Sequence, residues 1–154
     1  MTGYIIVNAY KPINAGRIIV EKEGKMPTER EWLLMEAIWD GGEGITSSEI
    51  LKKVKALDEM SGRTERVLLH HLVRKGLVGY TVDEYDSRVY HYFAKKTREE
   101  CLKEKREDFV KTYYKGSQTG AVASFLQTFD LTDQDIKELE KILRRRKKKN
   151  QEQT

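Results

Sequence analysis

The hydrophobic residues of this chain change their spacing near residue 76, and this change limits the folds open to it. Between residues 28 and 75, apolar residues recur three or four positions apart in three stretches, which is the period of amphipathic helices. Between residues 78 and 93, they alternate with other residues, as in strands, on either side of a polar turn at residues 84–87. The sequence therefore predicts three helices followed by a β-hairpin.

Capping boxes mark the helix starts: a hydroxyl and a carboxylate three residues later satisfy free backbone N–H groups reciprocally. With the periodicity, they predict helices at about residues 28–39, 46–57 and 61–75, with Gly76 as a left-handed C-cap. We expect the second helix to bury Leu57. Three helices and a hairpin are the order of a winged helix-turn-helix. The boxes are Thr28 with Glu31, Thr46 with Glu49, Thr97 with Glu100 and, in a shorter-armed form, Thr132 with Asp135.

Composition and pattern divide the chain into four segments. Residues 26–95 form the predicted winged-helix domain, and residues 96–143 hold three further helical stretches that form a C-terminal helical domain. Residues 144–154 are a basic tail that we expect to be disordered. Residues 1–25 are an N-terminal extension with three open interpretations: a β-hairpin, a disordered arm, or a non-native stretch ahead of a true start at Met26. The predicted fold class is mostly α with a small β wing.

Composition also excludes several classes of protein. No apolar stretch reaches the roughly 18–20 residues of a membrane helix, and the single cysteine cannot form a disulfide within the chain, so we expect a cytoplasmic protein without membrane insertion. The formal net charge is +4, but residues 26–143 hold 19 basic and 22 acidic residues. Overall charge gives little support for nucleic-acid binding, so that function depends on where single charges lie.

The third predicted helix has a donor-rich polar face opposite its apolar stripe of Leu68, Leu69 and Leu72. In a winged helix this helix lies in the DNA major groove, where arginine can contact guanine or phosphate. A merely solvated basic face is the alternative. The candidate DNA-binding residues are Ser61, Arg63, Thr64, Arg66, Val67, His70 and Arg74 on this helix, with Lys52 and Lys53 on the second helix and Arg88 in the hairpin as backbone contacts.

The sequence offers no catalytic residues, no metal site and no cofactor site. His70 and His71 lack further metal ligands at a matching spacing. Cys101 lies on a predicted helix far from any marked loop, and we expect it to be a small buried apolar group. The chain is therefore predicted not to be an enzyme.

Five segments carry a family resemblance in their order along the chain. They are Glu31-Trp32…Met35…Trp39, Arg63-Thr64…Leu68-Leu69…Lys75-Gly76, Arg88–Tyr92, Phe109…Tyr114-Lys115-Gly116 and Asp130-Leu131-Thr132…Leu143. Over about residues 26–143 they resemble the penicillinase and methicillin-resistance repressor family (BlaI/MecI). The resemblance implies a homodimer that represses genes from a palindromic operator in double-stranded DNA.

The same resemblance implies how the repressor is released. In that family a membrane sensor-protease signals a β-lactam, and the repressor is cut in its first dimerisation helix, usually after Asn. The matching bond here is Asp108–Phe109. The family also has an aliphatic residue where this chain has Glu65. Because burying a carboxylate is costly, we expect a rotated or frayed first turn that Glu65 caps. Acidic residues around Arg88 weaken the expected hold of the wing on phosphate.

The family resemblance implies that the C-terminal apolar residues form the dimer interface. A dimer also suits operator binding, because one recognition helix reads few base pairs and a wrong base costs only about 1–3 kcal/mol. An intramolecular three-helix core is one alternative. Others are a small-molecule-responsive regulator that binds its ligand near Tyr113, Tyr114 and Phe125 without proteolytic release, and a winged helix that binds protein. The predicted dimerisation residues are Leu102, Phe109, Tyr113, Val122, Phe125, Ile136, Leu139 and Ile142.

Overall fold

The computed structural model describes residues 26–153, and the interpretations of residues 1–25 lie outside the described residues. Within the described range the chain forms helices joined by short loops and one small sheet. The elements are α1 (Glu29–Asp40), β1 (Ile45–Thr46), α2 (Ser47–Val54), α3 (Gly62–Arg74), β2 (Val78–Val82), β3 (Tyr90–Ala94), α4 (Arg98–Tyr114), α5 (Gln118–Thr128) and α6 (Asp133–Glu152). The predicted fold class, mostly α with a small β wing, is confirmed.

The predicted hairpin is part of a three-stranded antiparallel sheet in the order β1-β3-β2. β2 and β3 pair along their whole length, with Tyr80 opposite Tyr92. β1 pairs with the other edge of β3, where Ile45 also lies opposite Tyr92. The sequence did not predict β1, because a strand of two residues shows no alternation.

One buried cluster of apolar side chains joins α1, α2, α3 and the sheet. Leu34, Ile50 and Leu72, one from each helix, are fully buried. Burying a side chain of this size stabilises the fold by about 1.5–3 kcal/mol, so the cluster holds α3 firmly on its inner side. The prediction that Leu57 is buried is wrong: α2 ends at Val54, and Leu57 in the following turn is 72% exposed.

Local capping chemistry sets the predicted helix starts and the predicted end of α3. Both hydrogen bonds of each capping box are present in the pairs Thr28/Glu31, Thr46/Glu49, Thr97/Glu100 and Thr132/Asp135. At the end of α3, Gly76 has φ +72°, a left-handed conformation that favours glycine. Its N–H donates to Val73 O, and the Leu77 N–H donates to Leu72 O, so the last carbonyls of α3 are satisfied.

The chain separates into two compact units, the first ending at Arg106 and the second beginning at Glu107, inside α4. The boundary predicted from the sequence, at residues 95/96, is earlier. The capping box at the start of α4 can be recognised in the sequence, whereas the packing of α4 cannot. In the second unit, α6 continues to Glu152, whereas residues 144–154 were expected to be disordered. Arg and Lys have good helix propensity, and cations interact favourably with a helix C-terminus, so the basic run extends the helix.

Candidate DNA-binding surface

Helix α3, the predicted recognition helix, turns one face to the core and the opposite face to solvent. Glu65, Leu69 and Leu72 are its buried residues. Five predicted contact residues, spaced three or four positions apart, form one exposed stripe along the other side. They are Arg63, Arg66, Val67, His70 and Arg74, and Val67 is 49% exposed.

The other two predicted residues of this helix, Ser61 and Thr64, form its N-terminal cap. The Ser61 hydroxyl accepts the Thr64 N–H at 3.1 Å and lies 2.9 Å from the Thr64 hydroxyl. Arg66 Nε donates to Gly62 O at 3.0 Å, one turn earlier. The first turn of α3 is therefore regular, and the expectation of a rotated or frayed start is wrong.

Glu65 does not cap the helix but lies buried between α3 and α2. The Ser47 hydroxyl donates to its carboxylate, 2.8 Å from one oxygen and 2.9 Å from the other. Burial raises the pKa of Glu65, while the hydrogen bond from Ser47 and the charge of Arg66 act in the opposite direction. Because Ser47 is the first residue of α2, this contact joins the two helices of the helix-turn-helix.

Beside the exposed stripe, three tyrosines line one face of the sheet. The rings of Tyr80 and Tyr90 lie 5.2 Å apart, and those of Tyr80 and Tyr92 lie 6.0 Å apart. A cleft of about 290 Å³ separates this face from α3 and is also lined by Arg66, His70 and Arg74. These tyrosines were not among the predicted DNA-binding residues, although the alternation of the hairpin places Tyr90 and Tyr92, two residues apart, on one face.

A buried ion pair fixes the C-terminal end of α3 to α1. Lys75 Nζ lies 2.6 Å from a carboxylate oxygen of Glu31, and these side chains are only 6% and 1% exposed. The ammonium group also donates to Met26 O, and Glu31 accepts the Thr28 N–H at 2.7 Å. The sequence identified Glu31 only as part of a capping box, because its partner lies 44 residues away.

The wing charge predicted to contact phosphate is already paired. Arg88 donates through Nε and a terminal nitrogen to the two carboxylate oxygens of Asp86, both at 3.0 Å. The Arg88 guanidinium holds the pKa of Asp86 below its ordinary value. On α2, Lys52 and Lys53 are exposed, and Lys53 Nζ lies 3.9 Å from a carboxylate oxygen of Asp40.

Aromatic rings and exposed apolar side chains characterise the second unit. The ring centroids of Phe109 and Phe125 are stacked at 5.8 Å, and those of Tyr114 and Phe125 lie 6.3 Å apart. These three rings therefore pack against one another. Asp108, at the predicted cleavage bond, is exposed within α4. Most predicted dimerisation residues are exposed as well: Phe109, Tyr113, Val122, Phe125, Ile136 and Ile142, whereas Leu102 and Leu139 are half-buried.

Residues 26–153 also bear on metal binding, membrane insertion and cysteine chemistry. No group of three or more His, Cys, Asp or Glu in this range could hold a metal ion. No helix of the described part is long and apolar enough to cross a membrane. Cys101 is fully buried, and burial raises the pKa of its thiol, as expected for a small apolar core residue.

Comparison with known families identifies the chain. The profile of the family described as penicillinase repressor matches residues 27–145. The chain belongs to the penicillinase repressor family. The predicted family is thereby confirmed, and the protein is a DNA-binding transcriptional repressor and not an enzyme.

Individual relatives agree with this membership. The chain is 28% identical to a penicillinase repressor of Staphylococcus aureus over 73% of this chain and 86% of that protein. It is 25% identical to a penicillinase repressor of Bacillus licheniformis over 81% of this chain and 94% of the relative. It is 24% identical to the methicillin resistance regulatory protein MecI of Staphylococcus aureus strain N315, with coverage of 75% and 91%.

Two solved structures show a weaker likeness. BpsR of Bordetella bronchiseptica is 15% identical and covers 78% of this chain and 79% of its own, with a TM-score of 0.43. The Staphylococcus aureus MepR–DNA complex is 23% identical, with coverage of 70% and 79% and a TM-score of 0.39. Likeness at these scores carries no argument about function.

Proposed function

We propose that this repressor binds a palindromic operator as a homodimer, with α3 of each protomer in the major groove. The exposed stripe of Arg63, Arg66, Val67, His70 and Arg74 carries the proposal. Arginine forks can read guanine, and an apolar side chain such as Val67 can meet a thymine methyl group. Ser61 and Thr64 support the same contacts by fixing the start of the helix.

The exposed apolar residues of the second unit support the dimer. Tyr113, Val122 and Ile142 are each more than half exposed, although side chains of this kind stabilise a protein when they are buried. A two-fold dimer would bury them and would set two recognition helices on one DNA face. Because each helix reads only a few base pairs, the pair gives the specificity that a single head lacks.

A footprint on the DNA upstream of the protein's own reading frame tests this function. We expect protection of two symmetric half-sites whose centres are one helical turn, about 34–36 Å, or a multiple of it apart. Arg63→Ala with Arg66→Ala should abolish protection while the protein stays folded and dimeric. Absence of protection by the wild-type protein at low salt would contradict the proposal.

We further propose that cleavage of the Asp108–Phe109 bond, signalled by a membrane sensor-protease that responds to a β-lactam, releases the operator. The bond lies within α4, on the N-terminal side of α5 and α6, so a cut would detach the DNA-binding head from the apolar faces. Because a protease needs an extended substrate, α4 must open locally for the cut.

Mass spectrometry of the protein from cells treated with a β-lactam tests the cleavage. We expect a fragment that ends at Asp108, and we expect Phe109→Ala to remain intact. Tyr113→Ala, which changes another exposed aromatic residue of α4 at a distance from the bond, is the matched control and should still be cut. Derepression with intact protein would contradict proteolysis and favour the small-molecule-responsive alternative.

A further inference from the structure

The C-terminal end of α6 is an exposed, fully helical run of positive charge. Six consecutive basic residues, Arg144–Lys149, are exposed, and Glu152 is the only acidic residue after them. The apolar side chains of α6 end at Leu143, so packing along its apolar face does not use the basic run. The nine residues from 144 to 152 extend the helix by about 13 Å.

Repulsion between like charges opposes the good helix propensity of this run. Like charges four residues apart destabilise a helix, and Arg144 with Lys148 and Arg145 with Lys149 are such pairs. The C-terminal dipole offsets part of this repulsion, but its effect falls off within the last turn. The nearest carboxylate with a recorded contact is weakly placed, since Glu140 lies 3.8 Å from Arg144. An anionic partner would relieve the repulsion along the whole run.

The DNA-binding head has no net positive charge. Residues 26–96 hold 11 basic and 12 acidic residues. Several of these cations already form ion pairs with carboxylates: Arg30, Lys53, Lys75, Arg88 and Lys96. Because neutralisation of phosphates supplies much of the affinity for DNA, the head by itself has few charges for it.

We propose that the basic end of α6, Arg144–Lys149, binds the phosphate backbone of double-stranded DNA, as a second contact in addition to that of α3. This inference rests on the proposed operator binding. On a helix, positions i, i+3 and i+4 share a face, so about three of the six cations can meet DNA at once, for example Arg145, Lys148 and Lys149. The contact is independent of base sequence, because phosphate carries no sequence information.

The salt dependence of DNA binding tests the proposal. Fluorescence anisotropy would follow the full-length protein on a duplex from upstream of its own reading frame and on a shuffled duplex, between 50 and 200 mM salt. Glutamine at all six positions keeps good helix propensity and removes the charge. We expect the slope of log affinity against log salt to fall by about 0.9 per lost contact, or roughly 2–3 per protomer, on both duplexes.

A matched control separates a local contact from a change of total charge. Lys111→Gln, Lys115→Gln and Lys137→Gln together remove three exposed charges from the same unit, and we expect an unchanged slope. A triple variant, Arg145→Gln with Lys148→Gln and Lys149→Gln, is the smaller counterpart in the run. Sedimentation would confirm that every variant remains in the oligomeric state of the wild type.

The outcomes distinguish failure of this inference from failure of the proposed operator binding. If the wild-type protein binds neither duplex at low salt, operator binding fails and the inference fails with it. If the wild type binds but the variants of the run keep its slope, or the control loses as much per charge, only the inference is overturned. Run-dependent binding to vesicles with 30% anionic phospholipid, together with an unchanged DNA slope, would assign the run to a membrane surface and overturn it as well.

Discussion

Replacing Ser47 with alanine removes the hydroxyl that donates to the buried carboxylate of Glu65. That hydroxyl lies 2.8 and 2.9 Å from the two carboxylate oxygens and is the only side-chain donor recorded for them in the described part of the chain. The substitution deletes one oxygen at the first position of α2 and leaves the charge behind. We therefore expect Ser47→Ala to destabilise the winged-helix domain.

The expected loss of stability follows from the strength of a hydrogen bond to a charged group. A hydrogen bond to a charged group contributes about 1.5–3 kcal/mol, and the buried group left behind loses its compensation. In a domain of 60–100 residues, each kcal/mol lowers Tm by roughly 4–8 °C. The loss should shrink at low pH, because a protonated Glu65 needs the donor less than a charged one.

Urea denaturation followed by tryptophan fluorescence measures this loss in the full chain. Both tryptophans, Trp32 and Trp39, lie in α1, so the signal reports the winged-helix domain alone. A double-mutant cycle with Glu65→Gln isolates the pair. A cost of Ser47→Ala below about 0.5 kcal/mol, the scale of an ordinary surface substitution, is one contrary result, and an equal cost in the Glu65→Gln background is another. Either result would show that the hydrogen bond from Ser47 to Glu65 does not stabilise the domain.

Three further predictions concern single contacts. Burial raises the folded-state pKa of Glu65, so its contribution is fully present below the ordinary carboxyl pKa and is lost as pH rises through the folded value. The free energy of unfolding of Glu65→Gln, relative to that of the wild type, should therefore increase from pH 4 to pH 8. A difference between the two that does not change with pH would contradict this prediction. Lys75→Met removes the ammonium group that pairs with the buried carboxylate of Glu31 and should cost about 3–5 kcal/mol. A loss under about 1 kcal/mol in urea denaturation would contradict a stabilising ion pair. In anisotropy titrations, Arg88→Gln should lower DNA affinity much less than Arg66→Gln, because the carboxylate of Asp86 already binds Arg88. An equal loss of affinity in the two variants would contradict this prediction.

Features that depend on neighbouring residues were predictable from the sequence. The capping boxes lie within one turn, so the starts of α1, α2, α4 and α6 were predicted and confirmed. The left-handed Gly76 at the end of α3 is also a local feature. Leu57 was misassigned because its spacing continues the apolar stripe of α2, although the helix has already ended.

Features that depend on distant residues were not predictable. Glu65 was expected to cap α3, because no pattern reveals that Ser47, 18 residues earlier, supplies its donor. The pairing of Lys75 with Glu31 spans 44 residues and was missed for the same reason. The cleft beside α3 requires the strand register as well as the alternation, since Tyr80 meets Tyr92 across two strands.

The proposed function requires that the exposed stripe of α3 reads DNA sequence. The most direct measurement is the ratio of affinities for the footprinted operator and a shuffled duplex, at one salt concentration. We predict that Arg66→Ala lowers this ratio, because loss of a bidentate base contact reduces the difference between the two binding free energies by about 1–3 kcal/mol. Lys52→Ala should weaken binding to both duplexes equally. A ratio that Arg66→Ala and Arg63→Ala both leave unchanged would contradict the claim.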